Sequence, residues 1–67
     1  MTKPLTSREK DVLAMLASGS SVGEIGDAFD IAERSVRAHV QMIVDKLGVN
    51  DGADAVALAL REGIVRR

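Results

Sequence analysis

The 67-residue chain has no cysteine, one histidine and one aromatic residue, Phe29. Each scarcity excludes something. Without cysteine there are no disulfides and no thiolate metal sites. A lone histidine, His39, gives no basis for a multi-histidine centre. With a single aromatic, the core has to be built from Leu, Val, Ile, Met and Ala, a set rich in good helix formers. No apolar run approaches the ~20 residues of a membrane span, and the N-terminus has no signal-peptide pattern. Missing cysteine also suits a cytoplasmic protein. A clear excess of positive charge is absent too. Nine Lys and Arg face ten Asp and Glu, for a net charge of −1, whereas a dedicated nucleic-acid binder is usually basic.

What is present points to helices. A chain this short buries only about 60 % of its unfolded surface, so one tightly packed domain is the most it can form. In "PLTSREKDVLAMLASG" Thr6 and Glu9 make a capping box, Val12, Leu13 and Leu16 repeat at helical spacing, and Gly19 stops a helix over 7–18. Ser21 and Glu24 form a second capping box ahead of a short helix that buries Ile25, Ala28 and Phe29. Gly23 and Gly26 each cost that helix ~1 kcal/mol relative to alanine. For Gly26, a closely crossing helix and mere tolerance are both open explanations.

A third helix is expected over 33–47, ended by Gly48. Its apolar stripe, Val36, Val40, Ile43 and Leu47, is about 60° wide at 100° per residue. Arg34, Ala38, Gln41 and Asp45 lie opposite, with Arg37 on one flank. Two helices joined by a short turn, the second with a polar outer face, make a helix-turn-helix. A fourth helix fits 52–62, capped by Asn50 or Asp51. Ala55, Val56, Ala59 and Gly63 share a face suited to the core. Ala53, Ala57, Leu60 and Ile64 form a second face about 115° away. A surface helix normally carries one apolar stripe, so this second face is expected to meet another subunit. The fold class is thus all-α: a four-helix bundle containing a helix-turn-helix, spanning 1–67 with its core in 5–65.

Catalysis is poorly served. Ser35 and His39 are one turn apart, but no third group orients the histidine and no glycine-rich oxyanion loop follows the serine. Glu24, Asp27 and Asp30 have helical spacing rather than the alternating oxygen spacing of a calcium loop. No catalytic residue, metal or cofactor is assigned.

DNA binding suits the third helix better. Charge is uneven: residues 20–31 hold Glu24, Asp27 and Asp30 with no cation, while residues 34–46 hold Arg34, Arg37 and Lys46 against Asp45. Arginine can bond guanine twice and glutamine can do the same to adenine, which makes Arg34, Arg37 and Gln41 candidate base readers. Ala38 is small enough to admit the helix and to touch a thymine methyl. Ser35 and His39 lie nearer the helix edges, where phosphates pass, and Lys46 can meet a phosphate at the far end. On spacing alone, an ordinary solvated face explains these residues equally well.

The segments "LTSREKDVL", "GSSVGEIG", "DIAERSVRAHVQMIVDKLGV" and "ADAVALALREGIV" together resemble the LuxR-type helix-turn-helix family, also called GerE-like or NarL/FixJ-like, over residues 5 to 65. The resemblance implies a bacterial DNA-binding domain whose third helix enters the major groove and whose fourth dimerises. Arg37 then sits where the family often touches bases, Ala38 and Gln41 fall at base-facing positions, and His39 and Lys46–Val49 fit the pattern. Ser21 joins Ser35, His39 and Lys46 as a phosphate contact. The expected partner is double-stranded DNA, bound by a homodimer in the cytoplasm, at the nucleoid.

Three positions depart from the family. Gly23 and Gly52 stand where many members have lysine and arginine, and Ala32 replaces the usual serine or threonine cap. Each change weakens phosphate contact or the helix start. With the net charge, they favour a second expectation: an interaction module that kept the fold, pairs through its fourth helix with a related regulator, or binds RNA polymerase.

Overall fold

The computed structural model describes residues 4–66. Four helices follow in order: α1 Ser7–Ala17, α2 Val22–Phe29, α3 Glu33–Leu47 and α4 Gly52–Arg61. α3 has the bounds its spacing predicts. α1 and α4 each end one residue short of expectation, because Ser18 and Glu62 act as caps. Among the described residues no helix is long and apolar enough to cross a membrane.

Local chemistry fixes the helix starts. The Glu9 N–H donates to Thr6 Oγ1 at 3.1 Å, and the Thr6 N–H donates to Glu9 Oε1 at 2.8 Å. Ser21 and Glu24 repeat the arrangement at 3.1 and 2.7 Å. At α4 the cap is Asp51, whose carboxylate accepts the Asp54 N–H at 2.9 Å. α3 alone starts without a side-chain cap, since Ala32 has none to offer; a polar residue there contributes ~1 kcal/mol.

The four ends share one device. Gly19, Asp30, Gly48 and Gly63 all take positive φ, at 90°, 55°, 68° and 70°. The next N–H then bonds back into the last turn: Ser20 to Met15, Ile31 to Gly26, Val49 to Val44 and Ile64 to Ala59, at 3.0, 2.9, 3.2 and 2.8 Å. This is the Schellman stop, which satisfies carbonyls the helix leaves over. Asp30 performs it without being glycine, in a region that Asp tolerates better than most residues.

α3 is the hub, packing against α1, α2 and α4, while α1 also meets α4. The sealed core is Val12, Leu13 and Ala17 from α1, Ile25 from α2, Val36, Ile43 and Val44 from α3, Ala55 and Ala59 from α4, and Val65 beyond it. Some expectations shift. Leu16 is only half-buried and Ala28 is exposed. α2 packs along Val22, Ile25, Gly26 and Phe29, and Ala28 lies to one side of that line at 100° per residue. Gly63 is exposed and stops α4 instead of lining the core.

Gly26 has a definite reason to be glycine. A Cβ there would sit 2.8 Å from the Ile31 carbonyl oxygen and 3.7 Å from Val36 Cγ2. The tight turn between α2 and α3 folds back over this residue, and the two helices of the motif approach closely here.

Candidate nucleic-acid interface

α3 has two unlike sides. Val36 and Ile43 are wholly buried, and this fixes the helix so that the other side faces out. Arg34, Arg37, Ala38 and Gln41 are all exposed on that outer side. Arg37 is held only loosely: its guanidinium lies 4.0 Å from Glu33 Oε2, with the two side chains 68 % and 61 % exposed. Gln41 donates from Nε2 to Asp45 Oδ1 at 2.9 Å, one turn along the same helix. Both arrangements are solvent-facing and cost little to exchange for other partners. Arg37 and Gln41 also rim a shallow cleft between α2, α3 and the start of α4, floored by Val22, Val40 and Val44.

The phosphate candidates divide. Ser21 is exposed at the start of α2. Its Oγ accepts the Glu24 N–H at 3.1 Å, and the exposed hydroxyl stands beside the Glu24 carboxylate. The Glu24 carboxyl is held below its usual pKa, chiefly by the bond from the Ser21 N–H and then by the Ser21 hydroxyl. Ser35 and His39 are half-buried along the flank of α3.

Lys46 is placed elsewhere. Its Nζ donates to Glu9 Oε1 at 2.7 Å and lies 3.4 Å from the Pro4 carbonyl oxygen. The Lys46 side chain is 16 % exposed and that of Glu9 2 %. The residue expected to reach a phosphate is an internal strut between α1 and α3. Because one carboxylate oxygen receives both Lys46 and the Thr6 N–H, Glu9 joins the α1 cap to the end of α3. The Glu9 carboxyl is lowered in pKa, first by the Lys46 bond and next by the Thr6 backbone bond, against the opposing pull of burial. Glu9 was legible only as a capping residue. A contact between positions 37 apart leaves no local trace.

On α4, Ala53 and Ala57 are exposed, but Leu60 and Ile64 are half-buried and packed against the core. The second face is therefore less apolar at its surface than its sequence suggests. Met42 on α3, 50 % exposed, is the one large hydrophobic residue standing in solvent among those described.

These elements define a class: a four-helix domain organised around a helix-turn-helix whose second helix turns a polar, arginine-bearing side outward. Residues 3–59 match the family described as bacterial regulatory proteins, luxR family, and the chain belongs to that family, one of regulators and not of enzymes. A probable transcriptional regulatory protein NarL of Mycobacterium tuberculosis is 41 % identical over 61 residues, covering 91 % of this chain and 28 % of that protein. The transcriptional regulatory protein DegU of Brevibacillus brevis is 40 % identical over 62 residues, 92 % of this chain and 26 % of its own length. The chain thus spans little more than a quarter of these relatives. Among solved structures, the transcription factor GerE superposes with a TM-score of 0.86 at 32 % identity, covering 92 % of both chains. VqmA of Vibrio cholera, solved with a ligand and DNA, gives 0.87 at 28 % identity, over 96 % of this chain and 28 % of that one.

Proposed function

We propose that this domain binds double-stranded DNA as the sequence-reading part of a bacterial transcription regulator, with α3 in the major groove. The observation that carries the reading is the exposure of Arg34, Arg37, Ala38 and Gln41 together on one side of a helix whose other side is locked into the core. The fold it shares with VqmA, which was solved with DNA, supports DNA as the partner. Arg37 leads base readout, with Arg34 and Gln41 beside it and Ala38 against a thymine methyl. Ser21, Ser35 and His39 hold phosphates. Lys46 is left out of the DNA contacts because its ammonium is committed to Glu9.

Ala53, Ala57, Leu60 and Ile64 are the proposed dimer contact on α4. Two copies joined there would offer two α3 helices to successive major grooves, on half-sites about 10 bp apart. Work in the bacterial cytoplasm follows from this role.

The test is fluorescence anisotropy with a mixed-sequence duplex over a series of salt concentrations, for the wild type and Arg37→Ala. Binding that falls steeply with salt is expected. On a selected site, Arg37→Ala should cost about 1–3 kcal/mol of affinity while relaxing preference at one base. Equal binding by Arg37→Ala and wild type would remove Arg37 from the interface. No binding at low salt would turn the reading to a protein-interaction module, with a related regulator or RNA polymerase as partner.

A further inference from the structure

Glu33, the first residue of α3, has surroundings that its position as an exposed helical acid does not require. A Cβ built on Gly23 would meet Glu33 Oε1 at 2.9 Å and Ser21 Oγ at 3.8 Å. The carboxylate therefore lies across the first turn of α2, beside the hydroxyl proposed above for a phosphate. Its other oxygen is 4.0 Å from the Arg37 guanidinium. One anionic group thus stands between the hydroxyl proposed for a phosphate and the arginine proposed for a base. A side chain at position 23 would push this carboxylate aside. Glu33 is also 61 % exposed at its side chain, so no packing depends on its charge.

We propose that Glu33 is a specificity-determining residue that competes with DNA phosphate, an inference that rests on the DNA-binding reading of this surface. In the free domain its carboxylate partly neutralises Arg37 and places negative charge where the backbone of any duplex would approach. Every DNA sequence meets that repulsion equally. It is overcome where Arg37 leaves Glu33 for a base acceptor that holds it better, as guanine does with two bonds. A domain without net positive charge thereby keeps non-specific association low and reserves its affinity for matched sites.

The experiment measures the binding of three unrelated duplexes to the wild type, Glu33→Gln and Glu33→Lys across a range of salt, with thermal melts to verify equal folding. One like charge removed at contact distance in water corresponds to about fivefold in affinity. Glu33→Gln should bind all three duplexes about fivefold more tightly at low salt, and Glu33→Lys more tightly still. The salt dependence should steepen by about one ion as Arg37 becomes free to meet a phosphate. In an Arg37→Ala background the gain from Glu33→Gln should shrink. Binding by Glu33→Gln alone, with none by the wild type, would also uphold the proposal. Unchanged or weaker binding by Glu33→Gln would overturn it while leaving DNA binding intact, weaker binding meaning that Glu33 holds Arg37 in its productive pose. A gain confined to one duplex would overturn it as well. Binding by no variant would overturn the DNA-binding reading and this inference together.

Discussion

The inner and outer sides of α3 each carry one ion pair and face one glycine of α2, and the members of each set behave oppositely. Inside, Lys46 and Glu9 meet at 2.7 Å with side chains 16 % and 2 % exposed. Outside, Arg37 and Glu33 stand 4.0 Å apart, both more than half exposed. Within α2, a Cβ on Gly26 would press on a backbone carbonyl, while one on Gly23 would press only on the tip of a flexible glutamate and touch Ser21 Oγ at ordinary contact distance. The same residue types hold the fold on one side and stay available on the other. Burial, not residue type, decides which role a charge takes here.

The largest expected effect is on the inner pair. Lys46→Ala leaves the Glu9 carboxylate buried without its partner, and losing one member of such a pair costs about 3 kcal/mol. Urea unfolding should register it as a lower midpoint. Arg37→Ala, removing the exposed partner, should move that midpoint by less than about 0.5 kcal/mol equivalent. Similar losses from the two variants would erase the distinction between the sides.

The glycines come next. Gly26→Ala drives a methyl toward the Ile31 carbonyl and should cost about 2 kcal/mol through displacement of the turn. Gly23→Ala should do the reverse, stabilising α2 by about 0.5–1 kcal/mol, because the Glu33 tip can swing aside and alanine is the better helix former. Thermal melts of the two variants should bracket the wild type.

Acid provides the finest separation. The Glu9 carboxyl has a lower pKa folded than unfolded, with Lys46 as the leading cause. Its contribution is therefore whole above the unfolded carboxylate value near 4.5 and is lost as pH falls through the lower folded value. Stability measured from pH 7 down to 2 should fall more steeply below 4.5 in the wild type than in Lys46→Ala. Parallel curves would mean that Lys46 does not set the Glu9 titration.

The readable parts of the fold were those written in neighbouring residues. α3 could be bounded from its stripe and Gly48, and the capping boxes of Thr6–Glu9 and Ser21–Glu24 formed as their spacing requires. The outward side of Arg34, Arg37, Ala38 and Gln41 followed from the same periodicity. What escaped was whatever depends on distant segments. Lys46 looked like a phosphate ligand because only its charge and place on α3 were visible, whereas the α1 carboxylate that claims it lies 37 positions away. Gly26 was ambiguous for the same reason, since the turn that crowds it gains its shape from Asp30, an aspartate filling a left-handed position where glycine is the usual signal. The core contact that Leu60 and Ile64 make beside their proposed partner face was not legible, because periodicity gives a direction but not how far the neighbouring core reaches.

The left-handed stops have a kinetic consequence. They turn the chain back within residues 18–21, 30–32 and 48–51, so each helix begins a few residues after its neighbour ends. Closing such short links forfeits little chain entropy, and helical domains dominated by local contacts fold in microseconds to milliseconds. An opened helix would re-dock faster than most proteases can cut it. Degradation of this domain would then follow how much of it stands open at equilibrium, and not how often it opens.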